Sequence, residues 1–157
     1  MDELAVLEQD VTFTIYYDLA KFYDHISIKK LIPKALLSGY PIKLLAIGML
    51  AHASPVRIRV FKSLSKAIHV STSVRAGCTQ ANSMARATLH DVLHKVHLEY
   101  PSVRHWSHVD DIVQNMSGAP ARVQGTMYPA ARELIERLDD LAQEVSVTTV
   151  FVSSAPN

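Results

Sequence analysis

Apolar and polar positions change period several times along the chain, and each change predicts an element. Phe13-Thr14-Ile15-Tyr16-Tyr17 is rich in β-branched and aromatic residues and predicts a strand that delivers Asp18 at its end. From Ile28 to Leu37, Leu31, Ile32, Ala35 and Leu36 recur at helical spacing until Ser38-Gly39 stops the run. Pro41 stands where a new helix would start, and that helix is expected over Ile42 to His52. Val56-Arg57-Ile58-Arg59-Val60 alternates as a half-buried strand does, with Ile68-His69-Val70 as its hairpin partner. Ala81 to Glu99 lacks Gly and Pro and predicts one long helix. Ser107 to Val113 predicts a hairpin with Asp110-Asp111 at its tip. Ala131, Leu134, Ile135, Leu138 and Leu141 trace a helical face over Tyr128 to Gln143, and Val145 to Val152 predicts a closing strand. The order β-α-α-β-β-α-β-β-α-β predicts an α+β fold, an antiparallel sheet with helices packed on one face.

Composition narrows the class. A chain of 157 residues, 48% of them apolar, can bury one core but not two full-sized ones, so 1–157 reads as a single domain. The lone Cys78 excludes an internal disulfide framework, and an acidic start replaces the basic residues of a secretory signal, so an intracellular location is expected. The longest apolar stretch, Leu44 to Ala51, is too short to span a bilayer, and no membrane partner is expected. Net charge is only +1, yet the ten Lys or Arg between Leu19 and Arg75 face a single acid, Asp24. Such a segment reads either as a solvated lysine face or as a surface that meets a phosphate backbone, where neutralisation releases counterions.

The chemistry rests on carboxylates. Two-metal phosphoryl transfer needs acids that converge from different elements, and magnesium is satisfied by a few carboxylates, waters and substrate phosphates. Asp18 ends one predicted strand and Asp110-Asp111 occupies a separate hairpin, so adjacent strands can bring them together. An Asp-Asp pair alone is equally a surface turn.

The surrounding motifs add to that reading. Tyr17-Asp18-Leu19-Ala20-Lys21-Phe22-Tyr23-Asp24 resembles the first palm motif of reverse transcriptases, Val74-Arg75-Ala76-Gly77-Cys78-Thr79 the Gly-containing second, and His108-Val109-Asp110-Asp111 the Tyr-x-Asp-Asp box. Leu141 to Thr148 resembles the helix-to-strand passage of the fourth. The motifs stand in the family's order, cover about Thr12 to Ser153, and are most similar to those of non-long-terminal-repeat retroelements.

The resemblance implies a polymerase palm with a ferredoxin-like core, an RNA-directed DNA polymerase acting on an RNA template, a DNA primer and deoxynucleoside triphosphates. Asp18 and Asp110 would bind two Mg2+ or Mn2+ ions, with Asp111 assisting and Leu19 adding a metal contact beside Asp18. Tyr23 would stack under the sugar and reject a 2′-hydroxyl, or else be a core aromatic beside Phe22. Lys21, Phe22, Ala76 and Gly77 complete the implied nucleotide site, Lys21 reaching a phosphate or else being a solvated lysine, and Gly77 admitting a close backbone approach or else being a turn before the helix. Departures are plain: Ala76 replaces the usual Gln, His108 an aromatic, and Thr148 a basic residue that would act as a general acid worth about two to four orders of magnitude in rate. Fingers and thumb have no counterpart, so the chain reads as a fragment, an excised domain or a degraded element, with a neighbouring chain as one source of the segments that hold the duplex. The alternative is an inactive nucleic-acid-binding remnant.

Other chemistries find less support. His90, His94 and His97 lie on one stripe of the long helix with His105 soon after, but no Glu follows His90 as in a zinc peptidase. Cys78 has no His-plus-acid pairing and reads as a small packed residue. The Gly-Gly-acid-acid-Phe turn of bacterial cyclases is missing.

Overall fold

The computed structural model describes residues 10 to 75 and 77 to 153. Its elements, in chain order, are β1 (Val11–Ala20), α1 (Phe22–His25), α2 (Ile28–Leu37), α3 (Ile42–Ala53), β2 (Arg59–Val60), β3 (Ser63–Leu64), α4 (Ala81–Glu99), β4 (Arg104–His108), β5 (Asp111–Gly118), α5 (Pro120–Asp139) and β6 (Glu144–Ser153). The class is the expected α+β with an antiparallel sheet. Among the described residues no helix is long and apolar enough to cross a membrane. The described residues divide into two compact units, one drawn from 10 to 20, 92 to 140 and 145 to 153, the other from 21 to 91 and 141 to 144.

The first unit is built on a four-stranded sheet in the order β4-β5-β1-β6. β1 pairs antiparallel with β5 from Val11↔Gly118 to Asp18↔Asp111, and β4 pairs antiparallel with the other edge of β5. Side chains alternate across a strand, so one face takes Ile15, Tyr17 and Leu19 of β1 with Ile112, Gln114 and Met116 of β5, all buried. α5 covers that face with Val123, Met127, Ala130, Leu134 and Leu138, spaced three or four residues apart. The other face shows Thr14, Tyr16 and Asp18 beside Asn115, Val113 and Asp111, and none of these is buried. One covered and one open face is the usual economy of an antiparallel sheet.

The second unit is helical. Ser27 caps α2, its hydroxyl accepting from the Lys30 N–H, and Gly39, at φ 76°, ends the helix as expected from sequence. Leu31 and Ala35 of α2, Leu45 of α3, and Met84 and Ala85 of α4 are buried. A Cβ on Gly48 of α3 would lie 2.2 Å from the Met84 Cε, so the absence of a side chain lets α3 approach α4 closely. The expected hairpin exists, but its ladder is Arg59↔Leu64 and Val60↔Ser63, with Val56↔Ile68 an isolated bridge below it.

Candidate active site

β1 and β5 bring two of the three predicted aspartates together. Asp18 and Asp111 are directly opposed in the ladder, although 93 residues separate them in sequence. Opposed residues project to the same face, their Cα atoms about 4.5–5.5 Å apart. His108 is the partner of Asp111 on β4, so a row His108, Asp111, Asp18 crosses the open face, all three exposed.

Asp110 sits beside this row in the turn. Sequence puts the Asp pair at the hairpin tip; in the structure the tip is Val109-Asp110, and Asp111 already belongs to β5. The reason is register: His108 and Asp111 pair, which leaves two residues to make the turn. Val109 has φ 58° and Asp110 is not left-handed, the sign pattern of a type II′ turn, whose first position favours Gly. A β-branched residue there is strained. The turn is tied back to β1 by the Leu19 N–H, which donates to the Asp110 carbonyl at 3.2 Å, while the Leu19 side chain is buried.

Beneath the aspartates lies a polar network the sequence reading missed. The Tyr17 hydroxyl donates to Gln114 Oε1, and the Gln114 amide nitrogen lies 3.4 Å from the Ala130 carbonyl of α5 and 3.5 Å from His105 Nδ1. Tyr17 and Gln114 are fully buried, and burial pushes the Tyr17 hydroxyl well above its ordinary range. Burial, aided by His97, pulls His105 down to about 4. The signal available in the sequence was a Gln in an inward slot, between Ile112 and Met116.

The remaining predicted residues belong to the other unit. Lys21 is exposed and left-handed, φ 51°, and its carbonyl accepts from the Asp24 and His25 amides in the one turn of α1. Phe22 is buried, its ring 5.8 Å from that of Tyr23. Tyr23 is half-buried; its hydroxyl donates to Asn82 Oδ1 at 2.6 Å and its carbonyl accepts from the Val74 N–H at 2.8 Å. Gly77 has φ 84° and open space where a Cβ would be, so its need for glycine is conformational. Ala76 lies outside the described residues.

Among the described residues no Lys, Arg or His forms an ion pair with Asp18, Asp110 or Asp111. Like charges directly opposed across a ladder are destabilising. Hard carboxylate oxygens on an exposed face fit Mg2+ or Mn2+, which retain waters. Yet no group of three or more His, Cys, Asp or Glu among the described residues is gathered closely enough to hold a metal. Asp110, out in the turn, is not drawn into the pair, and the helical His stripe gathers no ligand set either.

No protein-family model matches the chain, and no curated protein matches it in sequence. Among solved structures, apo telomerase from Candida tropicalis, truncated from its C-terminal domain, aligns with 94% of this chain at a TM-score of 0.67 and 12% identity. The alignment takes in 32% of the telomerase chain, so this chain spans about a third of that length. At that identity the likeness shows a shared fold, an α+β arrangement of antiparallel sheet and packed helices compatible with a polymerase palm.

Proposed function

We propose that the chain is the palm of a reverse-transcriptase-like, RNA-directed DNA polymerase, of the kind found in non-long-terminal-repeat retroelements, transferring deoxynucleotides to a primer 3′-hydroxyl on an RNA template. The observation that carries this is the Asp18↔Asp111 register on an open sheet face, with Asp110 in the adjoining turn. The telomerase likeness, over 94% of the chain, supports the same reading.

Asp18, Asp110 and Asp111 would hold two Mg2+ or Mn2+ ions, with the Leu19 backbone as a further contact. When bound, the ions offset the charge of the reacting phosphate and support the attacking and leaving oxygens. The chain's own part is positioning. The β1–β5 ladder fixes two carboxylates from separate elements, and the Leu19 to Asp110 hydrogen bond restrains the third residue's backbone. Asn82 and Val74 hold Tyr23 at its two ends, which suits a ring that must be rigid to reject a 2′-hydroxyl; Phe22 backs that ring. Lys21 would offer its ammonium to a triphosphate, and Ala76 and Gly77 a backbone approach.

One observation favours a second reading: the three carboxylates are not gathered into one ligand group, as an inactive nucleic-acid-binding remnant would allow. Single-nucleotide addition to a labelled primer on an RNA template, in Mn2+, separates the two. The polymerase reading expects addition that Asp110→Asn abolishes while the circular dichroism spectrum is unchanged. Addition at full rate by Asp110→Asn refutes the site; no addition by the wild-type chain, folded and bound to template, leaves the remnant.

A further inference from the structure

Charge is divided unevenly between the two units. The unit drawn from 21 to 91 and 141 to 144 has eleven Lys or Arg against three Asp or Glu, an excess of eight positive charges. Among the described residues, the unit bearing the aspartate row has five against nine, an excess of four negative charges. From His25 to His90 there is no acid at all. The aspartate unit by itself repels a polyanion, so any grip on one falls to the basic unit.

Within that unit the hairpin around β2 and β3 has a second unusual feature. Its turn is Phe61-Lys62, and the Phe61 side chain is 93% exposed. Phe61 has φ 51°, a left-handed conformation that a bulky residue rarely takes, so the turn holds its ring outward at some strain. The turn is braced: Arg59 Nε donates to the Phe61 carbonyl at 3.2 Å, and the Ser65 hydroxyl accepts from the Ile58 N–H at 2.9 Å. Arg57, Lys62 and Lys66 stand on the same hairpin segment, exposed, and that segment carries no carboxylate.

We infer that this hairpin is a docking surface for a single nucleic-acid strand, whose phosphates meet Arg57, Lys62 and Lys66 while a base stacks on Phe61. A polyanion with planar faces accounts for both the charge and the presented ring. An acidic peptide accounts only for the charge. The choice of polyanion rests on the polymerase reading, but the contact needs neither metal nor catalysis.

The test is fluorescence anisotropy of the full chain with labelled oligo(dT) and oligo(U), in chelator, over a salt series from about 50 to 200 mM. Binding is expected to fall steeply with salt, and the triple variant Arg57→Ala, Lys62→Ala, Lys66→Ala to lower the log-log slope by about 2, at roughly 0.7 per lost contact on a single strand. Phe61→Ala is expected to weaken binding about fivefold or more at fixed salt with the slope unchanged, and Phe61→Trp to retain it. The inference is overturned by any of four results: no binding by the wild-type chain, an equal slope loss from the control triple Lys29→Ala, Lys43→Ala, Arg86→Ala, indifference to Phe61→Ala, or equal displacement of the strand by polyglutamate or anionic vesicles. Asp110→Asn is expected to bind as wild type. Binding that survives while nucleotide addition is absent removes the catalytic reading alone, and a hairpin variant that binds and adds normally removes this one alone.

Discussion

His105 makes the stability of the sheet unit dependent on pH, with a sign that the geometry dictates. Its Nδ1 faces the Gln114 amide nitrogen, because the amide oxygen already accepts from Tyr17. Nδ1 must therefore be the acceptor, and protonating it would set donor against donor. Nε2 is buried without a partner, and the His97 ring stands edge-on at 6.1 Å between centroids. Burial first, and His97 second, lower the ring to about 4 from the ordinary 6.5. A lowered folded value means that the contribution to stability is complete above pH 6.5 and is lost as pH falls toward 4, because the unfolded chain takes up the proton first. The span of about 2.5 units corresponds to about 3 kcal/mol, which solvent screening of a partly exposed ring reduces to about 2 kcal/mol. The perturbation is His105→Gln, and the assay is urea unfolding followed by Trp106, the chain's single tryptophan and His105's neighbour in β4. His52, lowered by burial and by Arg75, adds a loss of the same sign to both proteins, so the difference between them isolates His105. The wild type should lose about 2 kcal/mol more than the variant between pH 6.5 and 4; parallel curves would refute the argument.

Asp111→Asn should stabilise the chain by a few tenths of a kcal/mol in chelator, by removing a like-charge cross-strand pair, and should lose that advantage when Mn2+ is added. Thermal melts in the two conditions decide it, and a gain that persists unchanged in Mn2+ counts against a cation at this row. Val109→Asn should raise the melting temperature, being worth about 1 kcal/mol, because Asn tolerates the left-handed backbone that Val occupies at φ 58°. A lower melting temperature would show that the Val109 side chain contributes more by packing than its backbone costs.

Elements governed by local rules were legible. α2 and α4 have the expected limits, because a Ser cap and a Ser-Gly stop bound the first and no Gly or Pro interrupts the second. α5 begins eight residues earlier than expected, at Pro120, and runs through Pro129 to Asp139. The single turn α1 is too short to carry a period. β1 extends beyond its aromatic core in both directions, because pairing with β5, not propensity, sets its length.

The site was legible in its residues but not in its register. Spacing announces that Asp18 and Asp110-Asp111 arrive on separate elements; only the pairing of strands almost a hundred residues apart decides that Asp111, not Asp110, opposes Asp18. That choice follows from the buried face. With a side-chain period of two, setting Tyr17 opposite Ile112 and Ile15 opposite Gln114 on the inner face also sets the two carboxylates opposite each other on the outer one. A slip of one residue would bury the acids and expose the core. The hydrophobic inner face thus sets two like-charged residues opposite each other on the outer one, an arrangement that costs stability and that the core's own pattern imposes.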